Sequence, residues 1–231
     1  MQGYRDYIVR GRTADTPTVT TFRLAPQDGK MPTFIPGQFV NVILPQFGAE
    51  AKSYSIASAP SDDMLVLSVR AKRDFSQALV SHTEGDTLQL SEPCGFFYPE
   101  DETAPRIFLA GGIGITPFMS MLRDARARGV NVPTLLLYSN RLASDRPYID
   151  ELLEEEKAGR CVMKNFVTGE GHGPEAASPH RIGPGDLSSA RESLPGANFF
   201  LCGGINFVRD MRLALKGIGV AEEAIFTEAF F

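Results

Sequence analysis

A chain of 231 residues is long enough for one large domain or two of about 100 residues, each with its own buried core. A net charge of −5, with 22% charged and 43% apolar residues, argues against a general nucleic-acid binder and suits a soluble protein. Three scattered cysteines (Cys94, Cys161, Cys202) and three histidines without ligand spacing argue against a disulfide framework, a cysteine-ligated cluster and any metal site, and point to a reducing, cytoplasmic setting.

The first hundred residues read as short strands. Tyr4 to Arg12, Thr18 to Leu24, Gln38 to Leu44, Ser53 to Ser58, Met64 to Ala71 and Thr87 to Ser91 are rich in β-branched and aromatic residues. Turn signals separate them at Asp28-Gly29, Pro36-Gly37, Pro60-Ser61 and Gly85-Asp86. Such spacing predicts an antiparallel barrel, interrupted by a short helix from Ser76 to His82. Within it, Lys52-Ser53-Tyr54-Ser55 crowds a cation, an aromatic and two hydroxyls onto one strand. Alternation assigns Lys52, Tyr54 and Ile56 to one face and Ser53 and Ser55 to the other. A lysine beside a tyrosine on one face fits a flat aromatic ligand carrying phosphate.

A polar, proline-bearing stretch from Glu100 to Pro105 marks a boundary, giving domains 1–102 and 103–231. Beyond it strands and helices alternate. Strand 107–110 leads to helix 117–128, and strand 134–138 to helix 147–157, with Ser144 or Asp145 as its cap. Strand 161–167 precedes the Gly/Pro-rich loop Thr168–Gly185, either a surface loop or a binding lip. A short helix from Leu187, strand 198–202 and helix 206–216 follow. This grammar predicts right-handed βαβ units and a parallel sheet, with ligands beyond the carboxyl ends of its strands. No apolar stretch approaches the ~20 residues needed to span a bilayer.

Two segments sit at such strand ends. Gly111-Gly112-Ile113-Gly114-Ile115-Thr116-Pro117 reads as a glycine turn opening a helix, with Thr116 as cap and Pro117 in the first turn. Free N–H groups at a helix start attract phosphate. Cys202-Gly203-Gly204 follows the apolar run Asn198–Leu201. Pro117 stands where the ordinary dinucleotide fingerprint has a third small residue, so the turn alone is weak evidence, with a tight corner without ligand as the alternative.

Taken in order, Pro36-Gly37-Gln38-Phe39, Lys52-Ser53-Tyr54-Ser55, Phe75-Ser76, Pro93-Cys94-Gly95, the Gly111–Pro117 turn and Cys202-Gly203-Gly204 resemble the ferredoxin–NADP⁺ reductase superfamily along the whole chain. The resemblance implies a six-stranded antiparallel Greek-key β-barrel for flavin, then an α/β domain with a parallel sheet for NAD(P). It implies Tyr54 along the isoalloxazine and Ser55 hydrogen-bonded near flavin N5. Val69, Arg70 and Ala71 pass the ribityl or phosphate region, and Phe75 and Ser76 contribute at the short helix, Ser76 through its hydroxyl and N–H. Gly112, Gly114, Ile115, Thr116 and Pro117 form the nucleotide turn, with Thr116 near the flavin or nicotinamide ring. Cys202 lies near the nicotinamide, Gly203 and Gly204 let the dinucleotide pass, and Glu228 brings a carboxylate toward the ring. Ser55, Cys202 and Glu228 are thus the catalytic candidates. Lys52 departs from the family's usual arginine, and a point charge does not replace a two-pronged fork. Arg70 and Ser76 together supply donors for two phosphates, which favours FAD over FMN.

Ser139-Asn140-Arg141 follows the second parallel strand, where dinucleotide domains meet the adenosine ribose. Ser139 and Arg141 suit a 2′-phosphate, favouring NADPH over NADH; the alternative is an Arg141–Asp145 salt bridge. Phe230 and Phe231 either cap the flavin, as terminal aromatics do in some members of that family, or close the core or contact a partner. The expected activity is hydride transfer from NAD(P)H to flavin. Electrons then pass to a separate ferredoxin, flavodoxin or oxygenase component, or to a small oxidant. The alternative is a non-catalytic flavin-binding electron-transfer subunit.

Overall fold

The structure is a computed structural model that describes residues 3–169 and 178–230. The chain clusters into two compact units: residues up to Tyr98 together with Thr116–Arg128, and Pro99–Ile115 together with Gly129 onward.

The first unit holds β1 (Tyr4–Thr16), β2 (Val19–Pro26), β3 (Phe39–Ile43), β4 (Ala51–Ser55), β5 (Leu65–Arg70) and β6 (Thr87–Ser91), wholly antiparallel in the order β4-β3-β6-β1-β2-β5. The sheet closes on itself just past β4, where Ile56 bridges Leu67 and Ala57 N–H donates to the Val66 carbonyl at 2.8 Å. Closure leaves no open edge at that corner. β1 runs four residues beyond its expected end because its far half pairs with β2 through two register shifts. Inward residues Tyr7, Val9, Phe22, Leu24, Val40 and Leu67 fill the barrel, each full burial of such a side chain contributing roughly 1.5–3 kcal/mol. Helix α1 (Asp74–Val80) starts two residues earlier than expected and buries Phe75 and Leu79.

Helix α2 (Thr116–Arg128) is fastened within this unit. The Ser120 hydroxyl donates to the Ser58 carbonyl at 2.6 Å, and Arg123 Nη1 donates to the Ala57 carbonyl at 2.8 Å. Its Phe118 ring lies 5.7 Å from Phe97.

The second unit is a five-stranded parallel sheet. Its strands are β7 (Arg106–Gly111), β8 (Thr134–Asn140), β9 (Val162–Val167), β10 (Asn198–Gly204) and β11 (Ile225–Phe230), in the order β11-β10-β7-β8-β9. Helices α3 (Ile149–Lys157), α4 (Pro184–Ser193) and α5 (Ile205–Gly217) connect them. From β7 the chain winds outward through β8 to β9, then returns to the other side of β7 through β10 to β11. The strand order therefore reverses between β7 and β10.

Three sequence expectations are corrected. Ser144 and Asp145 do not cap α3: they form a 3₁₀ turn, Ala143–Asp145, and Tyr148 at φ +61° enters the helix instead. The stretch between that turn and α3 is tied to the sheet, because Tyr138 Oη donates to the Pro147 carbonyl at 3.0 Å. Helix α4 begins at Pro184, since proline suits a first helical turn. Strand β11, absent from the sequence reading, extends the sheet beyond β10. The loop after β9 lies partly outside the described residues. No helix among the described residues is long and apolar enough to cross a membrane.

Candidate functional site

In open parallel sheets, ligands bind beyond the carboxyl ends at the strand-order reversal. Here that point falls between β7 and β10. Gly111 ends β7, Cys202-Gly203-Gly204 ends β10, and Ser139-Asn140 ends the neighbouring β8. Three segments singled out in the sequence thus share one end of three adjacent strands.

The glycines there have distinct reasons. Gly112 takes φ +58°, a conformation other residues resist. Gly114 instead allows close approach: a Cβ on it would overlap the Cys202 carbonyl and lie 2.6 Å from the Gly203 nitrogen. Gly111 lies against the Phe207 ring, and a Cβ on Gly203 would meet the Gly111 carbonyl oxygen and Phe207 at 3.0 Å. Protein atoms thus fill the space that the missing side chain of Gly203 leaves. Gly204, by contrast, has nothing within 4 Å of an added Cβ. Phe207, the packing partner of two of these glycines, escaped the sequence reading; its place in the first turn after Gly204 was the available signal.

The expected cap at Thr116 is also corrected. A 3₁₀ turn, Gly112–Ile115, runs directly into α2, so helical winding begins at Gly112. The N–H groups left over at its start belong to the glycine turn. Ile115, Thr116 and Pro117 are buried, at most 2% exposed for the first two.

Cys202 and Glu228 are register partners across β10 and β11, with Sγ and Oε2 4.0 Å apart. The thiol is fully buried, and burial, then the Glu228 charge, push its pKa well above the ordinary value. It is therefore a protonated, unreactive thiol at neutral pH. Phe230 pairs with Gly204 as the last residue of β11, while Phe231 lies outside the described residues.

At the end of β8, Ser139 is half-buried and Arg141 is exposed. The Arg141 guanidinium makes no ion pair with a described residue, so the alternative bridge to Asp145 is absent. Asn140 is buried, and neither its Oδ1 nor its Nδ2 has a hydrogen-bond partner among the described residues. An unmet buried amide costs about 1–3 kcal/mol, which a polar ligand would offset.

In the barrel, the expected alternation along β4 gives way to a gradient. Lys52 and Ser53 are exposed, Tyr54 is half-buried and Ser55 is buried. The strand pairs with β3 along its whole length, and burial deepens toward the end where the barrel closes on β5. Lys52 Nζ pairs with Glu50 at 2.8 Å, and Ser53 Oγ donates to Asn41 Oδ1 at 2.7 Å. The sequence reading missed both partners. Tyr54 packs on the barrel core, and burial pushes its hydroxyl pKa up. Val69 is core, and Arg70 and Ala71 are half-buried. Phe75 is buried, 4% exposed, with its ring 5.1 Å from Phe47. The Ser76 hydroxyl accepts from the N–H groups of Lys72 and Arg73 and donates to the Arg73 carbonyl, closing the turn into α1.

Known proteins share this arrangement. Residues 108–212 match the oxidoreductase NAD-binding domain. The flavohemoprotein of Bordetella pertussis is 31% identical over 255 aligned positions, covering 99% of this chain and 61% of the relative. That of Bacillus cereus is 30% identical, covering 98% and 61%. The chain thus spans about three fifths of these relatives. Two solved structures share the fold over nearly the whole chain. One is the flavohem-like FAD/NAD binding domain of nitric oxide dioxygenase from Vibrio cholerae (TM-score 0.87, 20% identity, 99% of both chains). The other is a ferredoxin NADP⁺ reductase from Neisseria gonorrhoeae with bound FAD and NADP (TM-score 0.85, 23% identity, 100% of both).

Proposed function

We propose that this chain is a member of the ferredoxin–NADP⁺ reductase superfamily and an NAD(P)H-dependent flavoprotein oxidoreductase. The observation that carries this reading is the meeting of Gly111–Gly114, Ser139–Arg141 and Cys202–Gly204 at one end of β7, β8 and β10, around the strand-order reversal. A bare structural corner has no need of an orphaned buried amide at Asn140 or of open space at Gly204.

The residues fit FAD and a nicotinamide dinucleotide. Bound flavin and nicotinamide supply the hydride chemistry, so the chain needs no nucleophile of its own. Tyr54 offers its ring to the flavin, Ser55 a hydroxyl, and Arg70 its guanidinium to the phosphate side. Lys52 contributes less, since Glu50 already holds its ammonium. For the nicotinamide coenzyme, the glycine turn supplies backbone N–H groups, Gly204 supplies room, and Ser139 and Arg141 bind a 2′-phosphate, favouring NADPH. Buried Cys202 and its partner Glu228 fix the end of β10 on which the coenzyme rests.

The electron acceptor is a separate protein or domain. Ferredoxin, flavodoxin and oxygenase components remain candidates, and the relatives named flavohemoproteins put a haem protein first.

Anaerobic titration of the purified protein with NADPH and NADH tests this function. A yellow protein that bleaches supports the reductase. A yellow protein that keeps its colour overturns it in favour of a flavin-binding electron-transfer subunit. A colourless protein that fails to quench FAD fluorescence overturns flavin binding altogether.

A further inference from the structure

We propose that Gly169 is a positioning residue for Arg141, and so a determinant of coenzyme choice. The inference rests on the reading of Ser139–Arg141 as the seat of the adenosine 2′-phosphate.

The last register pair of β8 and β9 joins Asn140 to Val167. Two further backbone bonds carry the pairing past the strands: Thr168 N–H donates to the Asn140 carbonyl at 3.0 Å, and Gly169 N–H to the Arg141 carbonyl at 2.8 Å. The second bond holds the backbone of Arg141 beyond the sheet, where a loop would otherwise be free to move.

The side chain is held as well. A Cβ on Gly169 would lie 2.6 Å from the Arg141 carbonyl oxygen and 3.2 Å from Arg141 Cγ. Gly169 does not take the left-handed conformation that favours glycine. Its missing side chain is explained by what it touches: Arg141 lies directly over it. The platform sets both the carbonyl and the start of the stem, leaving the exposed guanidinium uncommitted to any described residue. A cation held this way is preorganised for a phosphate, because less chain motion is frozen on binding.

Adding a methyl group at Gly169 displaces the Arg141 backbone or swings its stem, while the charge itself remains. A coenzyme lacking the 2′-phosphate should not register the change. The clean probe is 2′,5′-ADP against adenosine 5′-monophosphate, with binding to the whole protein measured by calorimetry. Gly169→Ala should weaken 2′,5′-ADP on the order of tenfold and leave the monophosphate within about twofold. In steady state it should raise KM for NADPH with kcat at saturation and KM for NADH little changed. Arg141→Ala should give the same loss, and the double variant no more than either alone.

Wild-type protein supplies a check that needs no substitution. On saturation with 2′,5′-ADP, the NMR amide signal of Gly169 should shift together with Arg141 Nε, and the monophosphate should move neither. If Arg141→Ala loses 2′,5′-ADP but Gly169→Ala retains it, or if the Gly169 amide stays still while Arg141 Nε moves, the positioning role is overturned and the phosphate seat stands. If Arg141→Ala binds both nucleotides as the wild type does, the seat itself is overturned and this inference falls with it.

Discussion

Cys202 Sγ lies 4.0 Å from Glu228 Oε2, because parallel pairing of β10 with β11 sets the two residues opposite each other. The thiol is fully buried, and burial and then the nearby carboxylate keep it protonated. Cys94, only half-buried, is the internal comparison. Iodoacetamide at pH 8 should label Cys94 well before Cys202, as read by mass spectrometry of the native protein. Glu228→Gln removes a negative charge, lowers the thiol pKa and should speed Cys202 labelling, though burial still holds it below Cys94. Equal labelling of the two cysteines in the unaltered protein would defeat this account.

Gly114 and Gly217 are both glycines in helical winding, yet they should respond oppositely to alanine. A methyl group on Gly114 would meet the backbone of Cys202 and Gly203, neither of which is the end of a flexible side chain. Gly114→Ala should destabilise by about 1–3 kcal/mol or more. Gly217 closes α5 with nothing within 4 Å of an added Cβ and no positive φ. Gly217→Ala should stabilise by up to about 1 kcal/mol. Urea midpoints at constant slope measure both, and a neutral Gly114→Ala would show that the turn and the end of β10 do not approach this closely.

Tyr54 separates flavin retention from folding. Its ring packs on the barrel core from the rim, so the ring contributes more than the hydroxyl. Tyr54→Ala should raise the flavin Kd on the order of tenfold, with Tyr54→Phe falling between it and the wild type. Flavin content and fluorescence titration give the ranking. Unaltered flavin content in Tyr54→Ala would take Tyr54 out of the site.

The split between legible and hidden features follows from what is local. Six barrel strands and the βα alternation showed in the sequence because side-chain period and turn residues are local signals. The contacts of Gly114 with Cys202 and of Gly169 with Arg141 did not, because each depends on which strands become neighbours. Glycine composition marked these positions but not their cause. Phe75 shows the same limit, because an aromatic beside a serine at a helix start reads equally as ligand wall or core. Strand β11 was overlooked although Ile225-Phe226-Thr227 has strand character, since its pairing with β10 is what makes Glu228 meet Cys202. Lys52 looked uncommitted because Glu50, two residues away, carries no sign in sequence of turning toward it.

Alkaline stability should depend on Cys161. This thiol is 4% exposed at the start of β9, and its pKa is pushed up to about 11 by burial first and by Glu155 and Glu156 after it. The unfolded chain releases this proton near pH 9 while the folded chain keeps it. The stabilisation is therefore whole below pH 9 and fades as pH rises toward about 11, at up to about 1.4 kcal/mol per pH unit. Buried Cys202 and Tyr54 act in the same direction, so the wild-type slope is a sum. Cys161→Ala removes one titrating group while keeping a small apolar side chain. Its urea midpoint should start below that of the wild type at pH 8 and converge toward it as pH approaches 11. Parallel curves across that range would show that the Cys161 thiol ionises as freely in the fold as outside it.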